Sequence, residues 1–580
     1  RQADGLLLLV PAALASPRLP CLWVVLAAYA CFALAGRHNP DFAFRCPDGD
    51  GVLFAVCLAP FLVHAYQGQD ALWSETTVSA DLLALGSLQA LMDFAVAAGP
   101  AVQVAQVAAL AVAGLVFVQL PPLPLVVFLA TQKAVTRWCF GGRRWGRCFS
   151  PAEGLFWAQA TSIFCLCFLQ GYLAGFARWS CMGIFGCFLL LFGVAFVVVT
   201  TVIAALVQKC SPGGHEWSPL CAAALCLLSF LAWGITGLGG WAAQSPEAPF
   251  AWLFGLLLGH GHPRLWLLQW PAILCGGIAS IDMAARRLRA PGSGPGQGGG
   301  GGAGAGASAG ASAGDADGGA AAACQGEAPA AAARFRLLLL RKAFHVLAVA
   351  LFAPPLVGHQ APFLGFALLV ASLLFVVLEA CRAGRAPWLA GCLDAFAGRY
   401  LDSREDVGRG DLVLTHLYLL LGCALPVWLE SSGERAPCRA PGPGGPPAAA
   451  APAAPPWPEA TRALGPPALL RSSGTLLVGV GDACAAVVGA AVGCHRWPGS
   501  HRTVEGSAAY VVGVILAGAC ILCSEQPPRG GPSEAWPTFA AFAGATILSA
   551  LLEVYTQSID NLVLPLFFCP VFRMLAGAWG

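Results

Sequence analysis

Long uncharged runs decide what this chain can become. Residues 181–207 and 361–378 contain no Asp, Glu, Lys or Arg, and each is about the length a helix needs to cross the hydrocarbon of a bilayer. A soluble domain has nowhere to bury many such runs. Of the 580 residues, 57% are hydrophobic before glycine is counted and only 11% are charged, against about 25% charged in ordinary soluble domains. Too few charges remain to coat a water-facing surface. The chain therefore reads as all-α, a polytopic integral membrane helical bundle. Candidate spans fall near 20–36, 51–67, 79–98, 101–120, 153–176, 181–207, 217–240 and 263–285, then near 343–357, 361–380, 412–429, 474–493, 506–524, 537–556 and 561–577. That is about 15 transmembrane helices, within about 13–17, since short Pro-broken runs can be re-entrant.

Charge excludes other classes. With 32 Lys and Arg against 30 Asp and Glu, there is no net field to hold a nucleic acid. The 24 cysteines do not form a disulfide or zinc framework, because most sit inside apolar runs. Cys520 and Cys523 form a CxxC with no second pair and no histidine at ligand spacing, so packing explains them better than metal or redox chemistry. Because the chain opens on Arg1 rather than Met, an incomplete N-terminus is expected.

Two tracts divide the chain. Residues 290–333 are rich in Gly, Ala and Ser, and 433–470 in Pro and Ala; both read as flexible loops. They set off an N-terminal multi-span region at 1–289, a membrane region at 334–432 and another at 471–580. Basic residues then suggest orientation. Arg137, Arg143, Arg144 and Arg147, the Arg286–Arg289 cluster, Arg334–Lys342, and the arginines of 382–411 mark loops expected on the cytosolic side.

Polar residues within apolar spans are expensive and therefore mark function. In the N-terminal half, His64, Asp81, Asp93 and Glu153 read mostly as helix ends and caps. The C-terminal half is richer. Arg341, Lys342 and His345 open an apolar run, and Arg341 and His345 fall on one helical face with Lys342 beside them. The chain has only three lysines, Lys133, Lys209 and Lys342, so a lysine kept beside an arginine hints at a specific point charge. Asp482 lies in the middle of GTLLVGVGDACAAVVGAAVG, where Gly479, Gly481, Gly489 and Gly493 permit close packing. A carboxylate there is protonated, paired, metal-bound or beside water. CHRWPGSHRTVEGS follows at 494–507. It is a basic turn at Pro498–Gly499 backed by Thr503 and Glu505, which suits a nucleotide phosphate. No Walker A sequence is present. Glu553 and Asp560, two helical turns apart, line one face if their helix is unbroken and form a second acidic cluster for a divalent cation. His416 reads as a structural histidine.

Together, RKAFH (341–345), LDSREDVGRGDLVLTHLYLLLG (401–422), VGVGDACAAVVG (478–489), RWPGSHRTVEG (496–506) and LLEVYTQSIDNLVLPL (551–566) resemble the dolichol kinases, a polyprenol kinase family. The resemblance covers roughly 335–429 and 471–570, with a weaker echo in CFSPAEGL (148–155) and PRLWLLQW (263–270). It implies transfer of the γ-phosphate of CTP to the terminal hydroxyl of dolichol at the cytosolic face of the endoplasmic reticulum membrane, giving dolichyl phosphate for protein glycosylation. On this reading 334–432 is the first part of the catalytic membrane region and 471–580 its CTP-binding part. The nucleotide stretch falls on Ala490, Ala491, Val492, Gly493, Cys494, His495, Arg496, Trp497, Pro498, Gly499, Ser500, His501, Arg502, Thr503, Val504 and Glu505, with Arg341 and Lys342 assisting. Asp482 and Lys342 are implied as catalytic. Asp482, Glu505 and Asp560 are the candidate ligands of a divalent ion, Mg2+ or Ca2+. The family's Lys-Lys pair before Thr-x-Glu-Gly is His501-Arg502 here, and an expected proline is Asp411. Expected partners are dolichol in the bilayer, CTP and membrane lipids; no motif specifies an oligomeric state. Two alternatives stay open: another CTP-dependent lipid enzyme (a diacylglycerol or phytol kinase, or a cytidylyltransferase) and a multispan transporter.

Overall fold

The computed structural model describes residues 20–35, 42, 52–66, 79–95, 100–117, 122–141, 148–173, 263–289, 319–358, 360–383, 389–397, 412–431, 467–524, 532–556 and 559–579. Helices account for nearly all of them. In the N-terminal region these are α1 (Pro20–Ala35), α2 (Val52–Tyr66), α3 (Ala80–Ala95), α4 (Pro100–Phe117), α5 (Pro122–Phe140), α6 (Pro151–Leu173) and α7 (Pro263–Arg289). Next come α8 (Gly319–Val357), α9 (Ala361–Ala383), α10 (Leu389–Ala397) and α11 (Thr415–Ser431). The last group is α12 (Pro467–Gly474), a π-helical segment (Thr475–Gly481), α13 (Asp482–Val492), α14 (Val504–Ser524), α15 (Pro532–Tyr555) and α16 (Asp560–Trp579).

Seven described segments are long and apolar enough to cross a membrane: Pro151–Gln170, Leu338–Val357, Ala361–Ala383, Ala468–Val492, Val504–Ser524, Trp536–Tyr555 and Asp560–Gly577. Val52–Val63, Ala101–Val112 and Thr415–Glu430 are shorter apolar helices. The chain is thus a multi-pass membrane protein. The figure of about fifteen spans is not reached among the described residues; the expected spans at 181–207 and 217–240 lie outside them, as do the acidic and basic residues of 401–411.

Two boundaries differ from expectation. Helix α8 starts at Gly319, inside the tract read as a loop. Its first half is AAAACQGEAPAAAA, and alanine is the strongest helix former, so the Ala-rich end of the tract propagates a helix. Helix α12 likewise begins at Pro467, within the last residues of the Pro/Ala tract; proline suits a first helical turn. The hairpin between α8 and α9 forms as expected. The Gly358 N–H donates to the Pro354 carbonyl at 2.8 Å, and the Gln360 N–H to the Pro355 carbonyl at 2.8 Å, closing the turn.

The C-terminal helix is the most enclosed of the candidate spans. Leu562, Phe567, Phe568 and Phe572 of α16 are buried, and Phe54 of α2 packs on Phe567 with ring centroids 6.4 Å apart. Polar contacts also join the two halves. At one end of α16, Arg573 pairs with Glu430 of α11 at 2.6 Å, Tyr66 of α2 donates to the same carboxylate at 3.0 Å, and the guanidinium lies 4.0 Å from the Tyr66 ring centre. Trp157 of α6 donates to the Tyr418 hydroxyl at 3.2 Å. Within low-dielectric surroundings such bonds are specific, because an unpaired polar group there is costly. The N-terminal helices are therefore part of the body that carries the C-terminal motifs. The described cysteines are all free, consistent with packing.

Candidate active site

The site begins with a departure from regular helix. Thr475–Gly481 winds as a π-helix, and the Asp482 N–H donates to the Leu477 carbonyl five residues back. Such bulges re-aim the residues that follow them. Glycine makes the close packing possible. A Cβ on Gly481 would lie 2.6 Å from the Tyr510 ring of α14, and one on Gly489 would lie 2.8 Å from Thr503 Oγ1. With only hydrogen there, α13 packs close against α14 and Asp482 faces α8.

Asp482 meets the RKAFH motif. Lys342 Nζ lies 2.5 Å from Asp482 Oδ2, and His345 Nδ1 lies 3.4 Å from the same oxygen. His345 Nδ1 is also 2.9 Å from the Val478 carbonyl; a carbonyl only accepts, so this nitrogen carries the proton. Lys342 and His345 are three residues apart on α8 and share the Asp482 side. Arg341 precedes them, half-buried on the same helix.

The basic turn supplies the second cation. His495–Val504 folds as a small hairpin: Arg496 pairs with Thr503, the Val504 N–H donates to the His495 carbonyl at 2.8 Å, and the Trp497 N–H donates to the Arg502 carbonyl at 3.1 Å. Its tip is Trp497-Pro498-Gly499-Ser500, closed by the Ser500 N–H on the Trp497 carbonyl at 3.1 Å. Gly499 has φ of 72°, so proline and then a left-handed glycine make the type II turn that the sequence announces. Two side chains anchor the hairpin: Ser500 Oγ donates to the Val554 carbonyl at 2.7 Å, and Trp497 Nε1 donates to Ser507 Oγ at 3.1 Å. Thr503 Oγ1 accepts the Gly506 N–H at 3.2 Å, which makes it the N-cap of α14.

Anchored this way, Arg502 reaches across to two carboxylates. Its guanidinium is 3.1 Å from Glu553 Oε1 and 2.8 Å from Asp560 Oδ2. Burial works against the charged form of Arg502, but Glu553, Asp560 and Asp482 outweigh it and hold the group above its ordinary value. Asp482, Glu553 and Asp560 each present a carboxylate oxygen, and the three oxygens lie within 4.8 Å of one another. The Glu553–Asp560 proximity does not come from one unbroken helix. α15 ends at Tyr555 and α16 starts at Asp560, so a break between the two helices folds Asp560 back beside Glu553.

The site thus gathers Lys342, His345, Asp482, Arg502, Glu553 and Asp560, all of them singled out in the sequence. Glu505 sits elsewhere. Its carboxylate accepts the His495 backbone N–H at 3.1 Å and lies 2.6 Å from His495 Nδ1, bracing the foot of the hairpin. In the acidic trio, Glu553 occupies the place the sequence reading gave to Glu505. His416 lies between the Phe344 and Phe375 rings, with centroids 5.8 and 6.1 Å away, as a packing residue would.

Three carboxylates fit a hard divalent ion, which prefers oxygen ligands. Among the described residues, Lys342 and Arg502 form ion pairs with them. Glu553 Oε1 is buried and makes no hydrogen bond, its contact with Arg502 being an ion pair only. A buried oxygen of this kind could serve as a ligand atom for such an ion.

These helices and this site define a multi-pass membrane protein with an acidic, cation-flanked centre suited to phosphate chemistry. Over 227 residues, 39% of its length, the chain is 35% identical to the dolichol kinase of Homo sapiens. It is 33% identical over 233 residues to the Arabidopsis thaliana protein named dolichol kinase EVAN, and 27% identical over 236 residues to dolichol kinase sec59 of Schizosaccharomyces pombe. The matched stretch spans little more than a third of these relatives: 36%, 34% and 39% of their lengths. They bear out the resemblance to dolichol kinases drawn from the motifs. No family model matches the chain, and no solved structure does.

Proposed function

We propose that this chain is a dolichol kinase that moves the γ-phosphate of CTP to the terminal hydroxyl of dolichol, at the cytosolic face of the endoplasmic reticulum membrane. One observation carries the reading beyond the relatives' names. Residues from four separate motifs, Lys342, Asp482, Arg502 and the Glu553–Asp560 pair, converge on one centre, and the hairpin bearing Arg502 stands beside it. The acceptor is an isoprenoid whose only practical solvent is the bilayer, whereas CTP is soluble. The two meet only where membrane helices end, and Asp560 opens a helix while Arg502 precedes one.

Asp482, Glu553 and Asp560 would hold Mg2+ or Ca2+, which when bound neutralises phosphate charge. The chain's own residues do the rest. Arg502 and Lys342 bind the phosphates and offset the charge that builds on the transferring group. The hairpin, preformed by its type II turn and its two anchors, fixes Arg502 before substrate arrives. The bond from γ-phosphorus to its bridging oxygen breaks as CDP leaves, and the dolichol oxygen takes its place on phosphorus. The hydroxyl proton passes to a carboxylate of the trio.

The test is transfer of radiolabelled γ-phosphate in membranes containing the full chain, offering CTP or ATP as donor and dolichol or diacylglycerol as acceptor. Label in dolichyl phosphate from CTP supports the reading. Label in phosphatidate, or transfer from ATP alone, would replace it with a different lipid kinase.

A further inference from the structure

The N-terminal half contributes one residue to this centre through the backbone. Ser150-Pro151-Ala152-Glu153 opens α6 as a capping box. The Glu153 N–H donates to Ser150 Oγ at 3.4 Å, and Glu153 Oε2 accepts the Ser150 N–H at 3.3 Å. Proline at the first helical position completes the pattern. A capping box occupies one carboxylate oxygen. The other, Glu153 Oε1, accepts the backbone N–H of Ile559 at 3.0 Å, 406 residues further along the chain. Both Ser150 and Glu153 are fully buried.

Ile559 sits at the break that places Asp560. Its carbonyl already accepts the first bonds of α16, from Leu562 at 3.3 Å and Val563 at 3.2 Å. Its N–H is one of the donors that a helix start leaves without an intrahelical acceptor. Glu153 satisfies that donor, and its negative charge stands at the positive ends of two helices, α6 and α16. The next residue is Asp560, whose Oδ2 faces Arg502 and whose Oδ1 accepts the Asn561 N–H at 3.0 Å. A capping glutamate has no need to reach a second helix, so this bond positions the carboxylate of the centre rather than merely ending α6.

We infer that Glu153 is a positioning residue for Asp560: it fixes the start of α16, and thereby the third carboxylate of the divalent-ion site. The inference rests on the proposed ion site.

The test is a Mn2+ titration of the full chain in detergent, followed by electron paramagnetic resonance, on wild type, Glu153→Ala, Glu153→Gln, Ser150→Ala and Asp560→Asn. Residues that support metal ligands typically change affinity by about tenfold or more when removed. Glu153→Ala should therefore weaken Mn2+ by about tenfold. Glu153→Gln, whose amide oxygen still accepts one of the two N–H bonds, should weaken it by about threefold. Ser150→Ala removes capping alone and should change it by less than about twofold. Glu153→Ala binding Mn2+ as wild type does, or Ser150→Ala weakening it as much as Glu153→Ala, would overturn the inference; if Glu153→Ala does not fold, Glu153→Gln binding more weakly than a Ser150→Ala that binds as wild type does supports it, and Ser150→Ala weakening as much as Glu153→Gln overturns it. Asp560→Asn with wild-type affinity would remove the ion site itself and overturn it too. A wild type that binds Mn2+ but transfers no phosphate would refute the proposed reaction and leave the comparison of variants intact.

Discussion

Replacing both members of the Lys342–Asp482 pair separates its structural role from its chemical one. The two groups are 2.5 Å apart, with side chains 18% and 5% exposed. Lys342→Met leaves Asp482 charged and buried, with His345 at 3.4 Å and the charge of Arg502 nearby. Breaking a buried pair by removing one partner typically costs about 3–5 kcal/mol, and the partial exposure of Lys342 puts this case near the lower end, about 3 kcal/mol. Asp482→Asn is milder, about 1–2 kcal/mol, because the long lysine stem lets its ammonium move toward water. The double variant has neither charge, so it should recover most of what Lys342→Met loses. Catalysis should not recover with it. Thermal inactivation of the full chain in detergent, paired with CTP-dependent phosphate transfer, measures both. Lys342→Met should inactivate at the lowest temperature, the double variant should approach wild type, and every variant should transfer phosphate far more slowly than wild type. An active double variant, or a Lys342→Met protein as stable as wild type, would refute the reasoning.

Arg502→Ala should raise the KM for CTP by about tenfold to a hundredfold, the worth of about 1.5–3 kcal/mol in charge-assisted bonds, while Asp482→Asn should act mainly on kcat; equal KM values in Arg502→Ala and wild type would count against a phosphate role. Chelation of divalent ions in solubilised protein should abolish transfer, and adding back Mg2+ or Ca2+ should restore it in wild type but only at higher concentration in Asp560→Asn; activity in chelator would exclude the ion site. Gly481→Val should impair folding and activity together, because its side chain would drive into the Tyr510 ring, 2.6 Å from the position of a Cβ; normal activity would show that α13 and α14 can separate cheaply. A tag placed within 440–460 should resist labelling in sealed microsomes until they are permeabilised, since the basic loops on either side are expected in the cytosol; labelling of intact vesicles would reverse that topology.

Local chemistry explains why so much was legible along the chain. Uncharged runs specify membrane helices because backbone polar groups in lipid are satisfied only within a helix. Pro498-Gly499 specifies its turn because proline presets one dihedral and glycine alone tolerates the next. The individual polar residues of the site stood out for the same kind of reason: Lys342, Asp482, Arg502 and Asp560 interrupt apolar sequence at a cost that packing alone does not repay. The Glu553–Asp560 pair was legible too, but not that Asp482, Lys342 and Arg502 meet it. Choosing Glu553 rather than Glu505 for the acidic trio depends on the break between Tyr555 and Asp560, and on a hairpin that turns Glu505 toward His495 and Arg502 toward α15 and α16. The bond from Glu153 to Ile559 joins positions 406 residues apart. The sequence by itself thus determined the membrane helices, their caps and turns, and which side chains were too polar for their surroundings, because each of these is a property of neighbouring residues. Only the tertiary structure decided which of those side chains meet, because that depends on where a π-bulge, a helix break and the close approach at Gly481 direct groups from distant segments.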